Sequence, residues 1–206
     1  MGCHHPDSAG YQITKPTLLR HLFALAATFP AQILSYNKML GQLQDVGNTT
    51  TIAHYLRMLE TAFLVSGLEL FSRGSARKRG SSPKLLLWNN ALVNALSNRS
   101  FDDSIADASW WGRLVENAVG GYFLNMLSSA DYTITYWRYK DREVDFVITR
   151  GAKLWAVEVK SGRGGKTPGL ESFRARYQDA RILVVGDQGI PLQEFFGTPA
   201  EVWLGG

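Results

Sequence analysis

Between Tyr132 and Lys160 three strand-like runs follow one another with only short turns between them, and the last two carry charges inside an otherwise apolar pattern. The runs are Tyr132 to Tyr139, Glu143 to Thr149 and Leu154 to Lys160, punctuated by Asp141-Arg142 and Arg150-Gly151. A helical pattern precedes them from Trp110 to Leu127, with Trp111, Leu114, Val115, Ala118, Val119, Tyr122 and Met126 on one stripe. Glu116 lies off that stripe, on a face with Gly112, Gly120 and Phe123. A glycine inside a helix costs about 1 kcal/mol relative to alanine, so these glycines point to a close backbone contact. A loop from Ser161 to Gly169, a helix over Leu170 to Tyr177 and a strand over Ile182 to Val185 complete the unit. The order helix, three strands, helix, strand predicts an α+β or α/β core.

Side chains alternate faces along a strand, so parity sorts the charges. Val144, Phe146 and Ile148 are expected on one face of the second run, with Glu143, Asp145 and Val147 on the other. In the third, Val157 and Val159 oppose Glu158 and Lys160. If the two strands pair, Asp145 and Glu158 share a face ~5 Å apart, with Lys160 ~6.6 Å further along. Carboxylates that close repel unless a cation lies between them. Mg²⁺ (or Mn²⁺) is the expected cation, held by Asp145 and Glu158 with Glu116 as a third oxygen donor. Such a centre suits phosphodiester hydrolysis, with Lys160 orienting water or neutralising developing charge. A plain salt bridge of Lys160 with one acid explains one pair but not three charges within apolar strands.

The first half predicts a helix-turn-helix unit. Apolar residues at helical spacing run from Pro16 to Thr28, and Ser35 caps a short helix carrying Met39, Leu40 and Leu43. Asp45 to Asn48 reads as a tight turn, before a third helix with Ile52, Tyr55, Leu56, Leu59 and Phe63 on its apolar stripe. Its outward face would carry Thr50, Thr51, His54 and Arg57, placed to meet a major groove. Isolated histidines on helices are ordinarily packed or solvated, so His21 and His54 receive no role. A strand over Gly67 to Ser72, a basic loop with Arg73, Arg77, Lys78, Arg79 and Lys84, and a strand over Leu85 to Trp88 resemble a wing. The purely structural alternative is a helical packing unit whose loop is basic for solubility.

Charge distribution supports a polyanion partner for this half. The net charge is +4, yet residues 1–100 hold ten Lys and Arg against four Asp and Glu, while the rest hold twelve against fourteen. No apolar run approaches the ~20 residues of a membrane span, and no signal peptide follows Met1. With a single cysteine, Cys3, an intrachain disulfide is excluded and a cytoplasmic location is expected. Cys3, His4 and His5 lack a second ligand group at zinc-site spacing. The expected organisation is a disordered or boundary segment over 1–15, a winged-helix module over 16–96 and a nuclease-like domain over 97–206, with 97–109 as the boundary.

Glu143-Val144-Asp145-Phe146, followed after Glu158 by Val159-Lys160, resembles the D-x(n)-E-x-K pattern of the PD-(D/E)XK restriction-endonuclease-like superfamily, with twelve residues between Asp145 and Glu158. The pattern departs from that superfamily in having Glu143 two residues before Asp145 and no Pro-Asp pair. The wider arrangement resembles the C-terminal region, of unknown function, of a family of prokaryotic AAA-type ATPases. That likeness rests on Leu18-Leu19-Arg20, Tyr55 to Glu60, Ser82-Pro83-Lys84, Leu114 to Asn117 and the two charged strands. It implies a winged helix and an endonuclease-like core, an ATPase domain in the longer chain, duplex DNA as partner, and an oligomer as one possibility. Gly162 to Thr167 ends like a phosphate-binding loop, but Lys160 stands where the first glycine is needed and Pro168 follows at once. It reads instead as a basic loop whose Arg163 and Lys166 hold DNA. Two rivals stay open: a catalytically silent nucleic-acid-binding module, and an assembly domain through which the ATPase meets a protein partner.

Overall fold

The computed structural model describes residues 13–43, 48–74, 82–162 and 167–205. It is a mixed α+β structure with two sheets. Helix α1 (Pro16–Thr28) begins on Pro16, and α2 (Tyr36–Leu43) begins where the Ser35 hydroxyl accepts the Lys38 N–H at 3.2 Å. Helix α3 (Thr49–Thr61) is capped by Asn48, whose Oδ1 accepts the Thr51 N–H at 2.8 Å. Strands β1 (Gln32–Ile33), β2 (Val65–Leu68) and β3 (Lys84–Leu87) form an antiparallel sheet in the order β1-β3-β2. The expected turn over 45–47 lies outside the described residues, as do 75–81 of the basic loop.

Phe63 leaves the stripe assigned to it. Helix α3 ends at Thr61, and Phe63, at φ +56°, turns out to be 65% exposed with its ring edge against Trp88. Leu64, immediately after it, packs on the helical core instead.

Strand β3 is central to the whole chain. All four of its residues are buried. Leu85 and Leu87 enter the core of α1, α2 and α3, while Leu86 enters the core beneath the second sheet. By the same parity Lys84 faces the second sheet too. Helices α4 (Asn90–Ser97) and α5 (Phe101–Ala106) follow, so part of the expected boundary segment is itself helical, α5 opening on a Ser100–Asp103 capping box.

Helix α6 (Ala108–Met126) joins the two cores. Trp110 and Leu114 pack with the first helices, whereas Val119 and Phe123 pack against the second sheet. The face with Gly120 and Phe123 is therefore buried, and Met126, assigned to the apolar stripe, is 44% exposed. A Cβ on Gly120 would lie 2.7 Å from Leu86 Cδ1 and 2.9 Å from the Phe146 ring, the close approach its glycine implied. Buried Asn117 ties α6 to β3: its Oδ1 accepts the Leu87 N–H at 2.9 Å and its Nδ2 donates to the Leu87 carbonyl at 3.0 Å.

Strands β4 (Thr133–Tyr139), β5 (Arg142–Arg150), β6 (Lys153–Lys160) and β7 (Arg181–Gly186) form the second sheet in that order, antiparallel except for the parallel pair β6-β7. Helix α6 covers one face through Phe146, Ile148, Trp155 and Val157. Helix α7 (Pro168–Arg176) covers the other, its Leu170 and Phe173 meeting Trp137, Val144, Val147 and Ala156. Two short helices, α8 (Leu192–Gly197) and α9 (Ala200–Trp203), extend the α6-side core through Phe195, Ala200 and Leu204.

The simple alternation expected for β5 fails at one point. Val144 packs with Val147 under α7, on the face opposite Phe146 and Ile148. The ladder with β4 shifts between Thr135 and Trp137, which pair with Val147 and Val144. Such a bulge reverses parity on its two sides and re-aims the side chains beside it. Those side chains are the charged ones.

Candidate functional site

Three carboxylates converge where β3, the start of β5 and the middle of α6 meet. Among the described residues Glu116, Glu143 and Asp145 each offer an oxygen, and these oxygens lie within 4.8 Å of one another. All three are partly buried, so the group can hold a metal ion. Glu116 comes from the α6 face that Gly120 brings close to the sheet. Glu143 and Asp145 stand at the bulged end of β5, where α7 also closes in: a Cβ on Gly169 would fall on the Glu143 carbonyl.

Lys84 sits among these acids. Its side chain is completely buried, and its Nζ pairs with Glu116, with Glu143 Oε1 at 3.0 Å and with Asp145 Oδ1 at 3.5 Å. It also donates to the Asp145 carbonyl at 3.3 Å. Burial would depress an ammonium pKa, but the charges of Glu116, Asp145 and Glu143 outweigh it and hold Lys84 above the ordinary lysine value. Lys84 therefore stays charged and cannot reach a phosphate, which corrects its assignment to the DNA-binding loop. The sequence counted it as the last cation of a solvated loop, whereas it is the first residue of a buried strand.

Asp145 and Glu158 do approach each other across the β5-β6 ladder. Phe146 pairs with Val157, which puts Asp145 and Glu158 one step beyond on neighbouring strands. Asp145 Oδ2 accepts the Val159 N–H at 2.8 Å. Glu158 is 9% exposed; its Oε1 accepts from Lys160 Nζ at 2.8 Å, and its Oε2 is buried with no hydrogen-bond partner. Lys160 thus pairs with its strand neighbour, while Lys84 is the cation of the acidic trio, and Glu158 is not one of that trio. Burial, and next the charge of Asp145, push Glu158 up to about 7 and Glu116 up to about 8. Four carboxylates against two ammonium groups leave two negative charges if all are ionised. Without another cation, protons supply the balance.

The remaining expected DNA contacts are scattered. Thr50 and Arg57 are exposed on α3. Thr51 is committed to the cap, its hydroxyl donating to Asn48 Oδ1 at 3.0 Å. Arg73 is bound to Asp179 across 106 residues, one nitrogen at 2.7 Å. Arg77, Lys78, Arg79, Arg163 and Lys166 lie outside the described residues. Glu143 and the buried role of Lys84 were missed. The available signal was Lys84 at the head of Leu85-Leu86-Leu87, a cation on the same strand parity as a core leucine. A cavity of about 530 Å³ between α4, α5, α6 and α8, lined by Asn94, Phe101, Trp111 and Phe196, has none of the four carboxylates in its wall.

No helix is long and apolar enough to cross a membrane among the described residues. No curated protein matches the chain. A solved structure described as "Crystal structure of protein VC1899 from Vibrio cholerae" is similar at 15% identity and a TM-score of 0.24, over 84% of this chain and 48% of that one. The chain thus spans about half the length of that protein. Residues 8–103 match the family described as Domain of unknown function (DUF8612), and residues 111–201 match Domain of unknown function (DUF4143).

Proposed function

We propose that the chain is a nucleic-acid-processing module whose Asp145, Glu158 and Glu116 bind a divalent cation for phosphodiester hydrolysis. The observation that carries this reading is the charge imbalance at Glu158: a buried carboxylate oxygen with no partner, beside Asp145, in a cluster two positive charges short of neutrality. A divalent ion has the required charge, and the all-oxygen donor set suits Mg²⁺ or Mn²⁺. Bound there, such an ion supplies a water of lowered pKa and charge stabilisation at a phosphoryl oxygen. Lys84 pins Glu116, Glu143 and Asp145 in place, and Lys160, held by Glu158 and 21% exposed, offers its ammonium to charge developing on the phosphate. The α6–sheet–α7 core with charges on two adjacent strands fits an endonuclease-like fold. The order α1-β1-α2-α3-β2-β3 fits a winged helix that holds duplex DNA through Thr50 and Arg57. The resemblance to the C-terminal region of AAA-type ATPases supports reading such a module as controlled by an ATPase domain.

One observation favours a second reading, a catalytically silent binding module. The Lys84 ammonium already occupies the space among three carboxylates, as a built-in cation would. Calorimetric titration with Mn²⁺ followed by plasmid nicking separates the two. The catalytic reading expects binding by the intact chain, loss in Glu158→Gln, and nicking that disappears in Lys160→Ala with metal affinity retained. Absence of metal binding in the intact chain overturns it.

A further inference from the structure

We infer that the tip of the β4-β5 hairpin and the last turn of α7 form a second nucleic-acid-binding surface, along which the phosphate backbone runs to the carboxylate centre. The inference rests on the preceding reading for the identity of the substrate. Its evidence is separate and lies in none of the residues assigned above to DNA.

Arg138, Lys140 and Arg176 are exposed, and Arg142 is 43% exposed at its side chain. Lys140 and Arg176 lie against Tyr139, itself 43% exposed, with Arg142 paired to it on β5 and Arg138 beside it on the other face of β4. The Arg176 guanidinium lies 4.1 Å from the Tyr139 ring centre and Lys140 Nζ lies 5.6 Å from it. Trp137 stacks beside the same ring, 6.3 Å away at 23°, and is anchored against Phe173 of α7. Contact with an aromatic ring restrains two long cationic side chains before any ligand arrives, which lowers the ordering cost of binding. Among the described residues no carboxylate pairs with Arg138, Lys140 or Arg176. Asp141 approaches only Arg142 among the described residues, at 3.7 Å, and Arg73, above Tyr177 just past the end of α7, is already engaged by Asp179. Three cations without an ion pair at one hairpin end are a local electrostatic footprint for a polyanion.

Position argues for a nucleic acid. The ladder sets Arg138 opposite Glu143 and Tyr139 opposite Arg142. Arg142 precedes Asp145 by three residues on β5, a span of ~10 Å at ~3.4 Å per residue. That equals about three nucleotide steps along one strand of a duplex. Cations held in place beside an aromatic ring are suited to contacts with a sugar-phosphate backbone. A phosphate held at the hairpin tip therefore puts a linkage about three nucleotides away beside the carboxylates.

The test is fluorescence anisotropy of a labelled DNA duplex over a salt series, in EDTA so that no cleavage occurs. The probe is titrated with the intact chain, Arg138→Ala/Lys140→Ala/Arg176→Ala, and the charge-preserving Arg138→Lys/Arg176→Lys. The triple variant should weaken binding at least ~10-fold at low salt and flatten the log Kd against log salt slope by about 2 to 3, since each phosphate contact contributes ~0.9. The lysine variant should keep the intact slope, which separates charge from packing against Tyr139. A triple variant with unchanged slope, or polyglutamate displacing the duplex at equal charge concentration, overturns the inference. Metal titration of the same samples keeps the two readings apart. A flattened slope without metal binding removes the catalytic reading alone, and metal binding with an unchanged slope removes this surface alone.

Discussion

Replacing Lys84 with methionine tests the arrangement at its centre. Methionine keeps an apolar stem of similar length and removes the ammonium, together with its contact over the Phe146 ring, whose centre lies 5.4 Å from Nζ. What remains is Glu116, Glu143 and Asp145 within 4.8 Å of one another, in a space that water does not reach from the Lys84 side. Removing one partner of a buried ion pair costs about 3–5 kcal/mol, because the other charge stays buried and uncompensated. At ~2–4 °C per kcal/mol for a chain of this size, the melting temperature should fall by about 6–20 °C. The deficit must also depend on pH. In the variant the carboxylates hold protons more tightly than in the intact protein, so its folded state gains relative stability as pH falls. Thermal unfolding followed by circular dichroism in EDTA, at mildly acidic and mildly alkaline pH, reads both effects. Adding Glu116→Gln should recover part of the loss, a coupling that two independent surface residues would not show. A variant melting within ~2 °C of the intact chain at alkaline pH refutes the reasoning, since a solvated ammonium costs that little to remove.

Glu158 and Glu116 predict the pH dependence of the intact chain. Both have folded-state values raised, to about 7 and about 8, above the 4.5 of a free glutamate. The folded state therefore binds more protons than the unfolded one across that window, and stability contributed by these groups is complete below pH ~4.5 and lost as pH rises toward 8. Urea midpoints in EDTA should fall between pH 6 and 8.5, less so in Glu158→Gln, and Mn²⁺ should flatten the trend; a midpoint that rises with pH equally in both chains contradicts it. Gly169→Ala should destabilise more than Gly120→Ala. The first added methyl meets the Glu143 backbone, whereas the second meets the side chains of Leu86 and Phe146, a ~1–3 kcal/mol overpacking cost offset by ~1 kcal/mol of helix propensity. Equal urea midpoints for the two variants would show that α7 can shift on β5.

Local signals placed most of the elements. Pro16, Ser35 and Asn48 mark helix starts that the structure has within one residue, and the turns expected at Asp141-Arg142 and Arg150-Gly151, which fall at 140–141 and 151–152, leave the three strands little freedom. Glycines 112 and 120 on the Glu116 face announced which side of α6 approaches the rest of the fold, and that side carries Glu116 to the site. The misreadings share one cause, contacts made between residues far apart in sequence. Parity along β5 breaks because β4 pairs with it through a bulge, and nothing in Glu143 to Ile148 alone requires one. Phe63 is apolar at helical spacing, but the chain has turned at φ +56° before the stripe would include it.

Lys84 shows where a composition argument fails and a periodicity argument succeeds. Grouped with Arg77, Lys78 and Arg79 it belongs to a basic loop. Grouped with Leu86 it belongs to a strand face, and a face that buries a leucine buries its neighbour two residues away. A lysine there requires acids opposite it, and those must come from elements that β3 meets in space rather than in sequence. Glu116, 32 residues later, and Glu143 and Asp145, later still, are those acids. The charged strands and the basic loop, separable motifs along the chain, thus form one electrostatic unit. A change in the pairing of β3 will therefore be felt as a change in the protonation of the carboxylates that Lys84 meets.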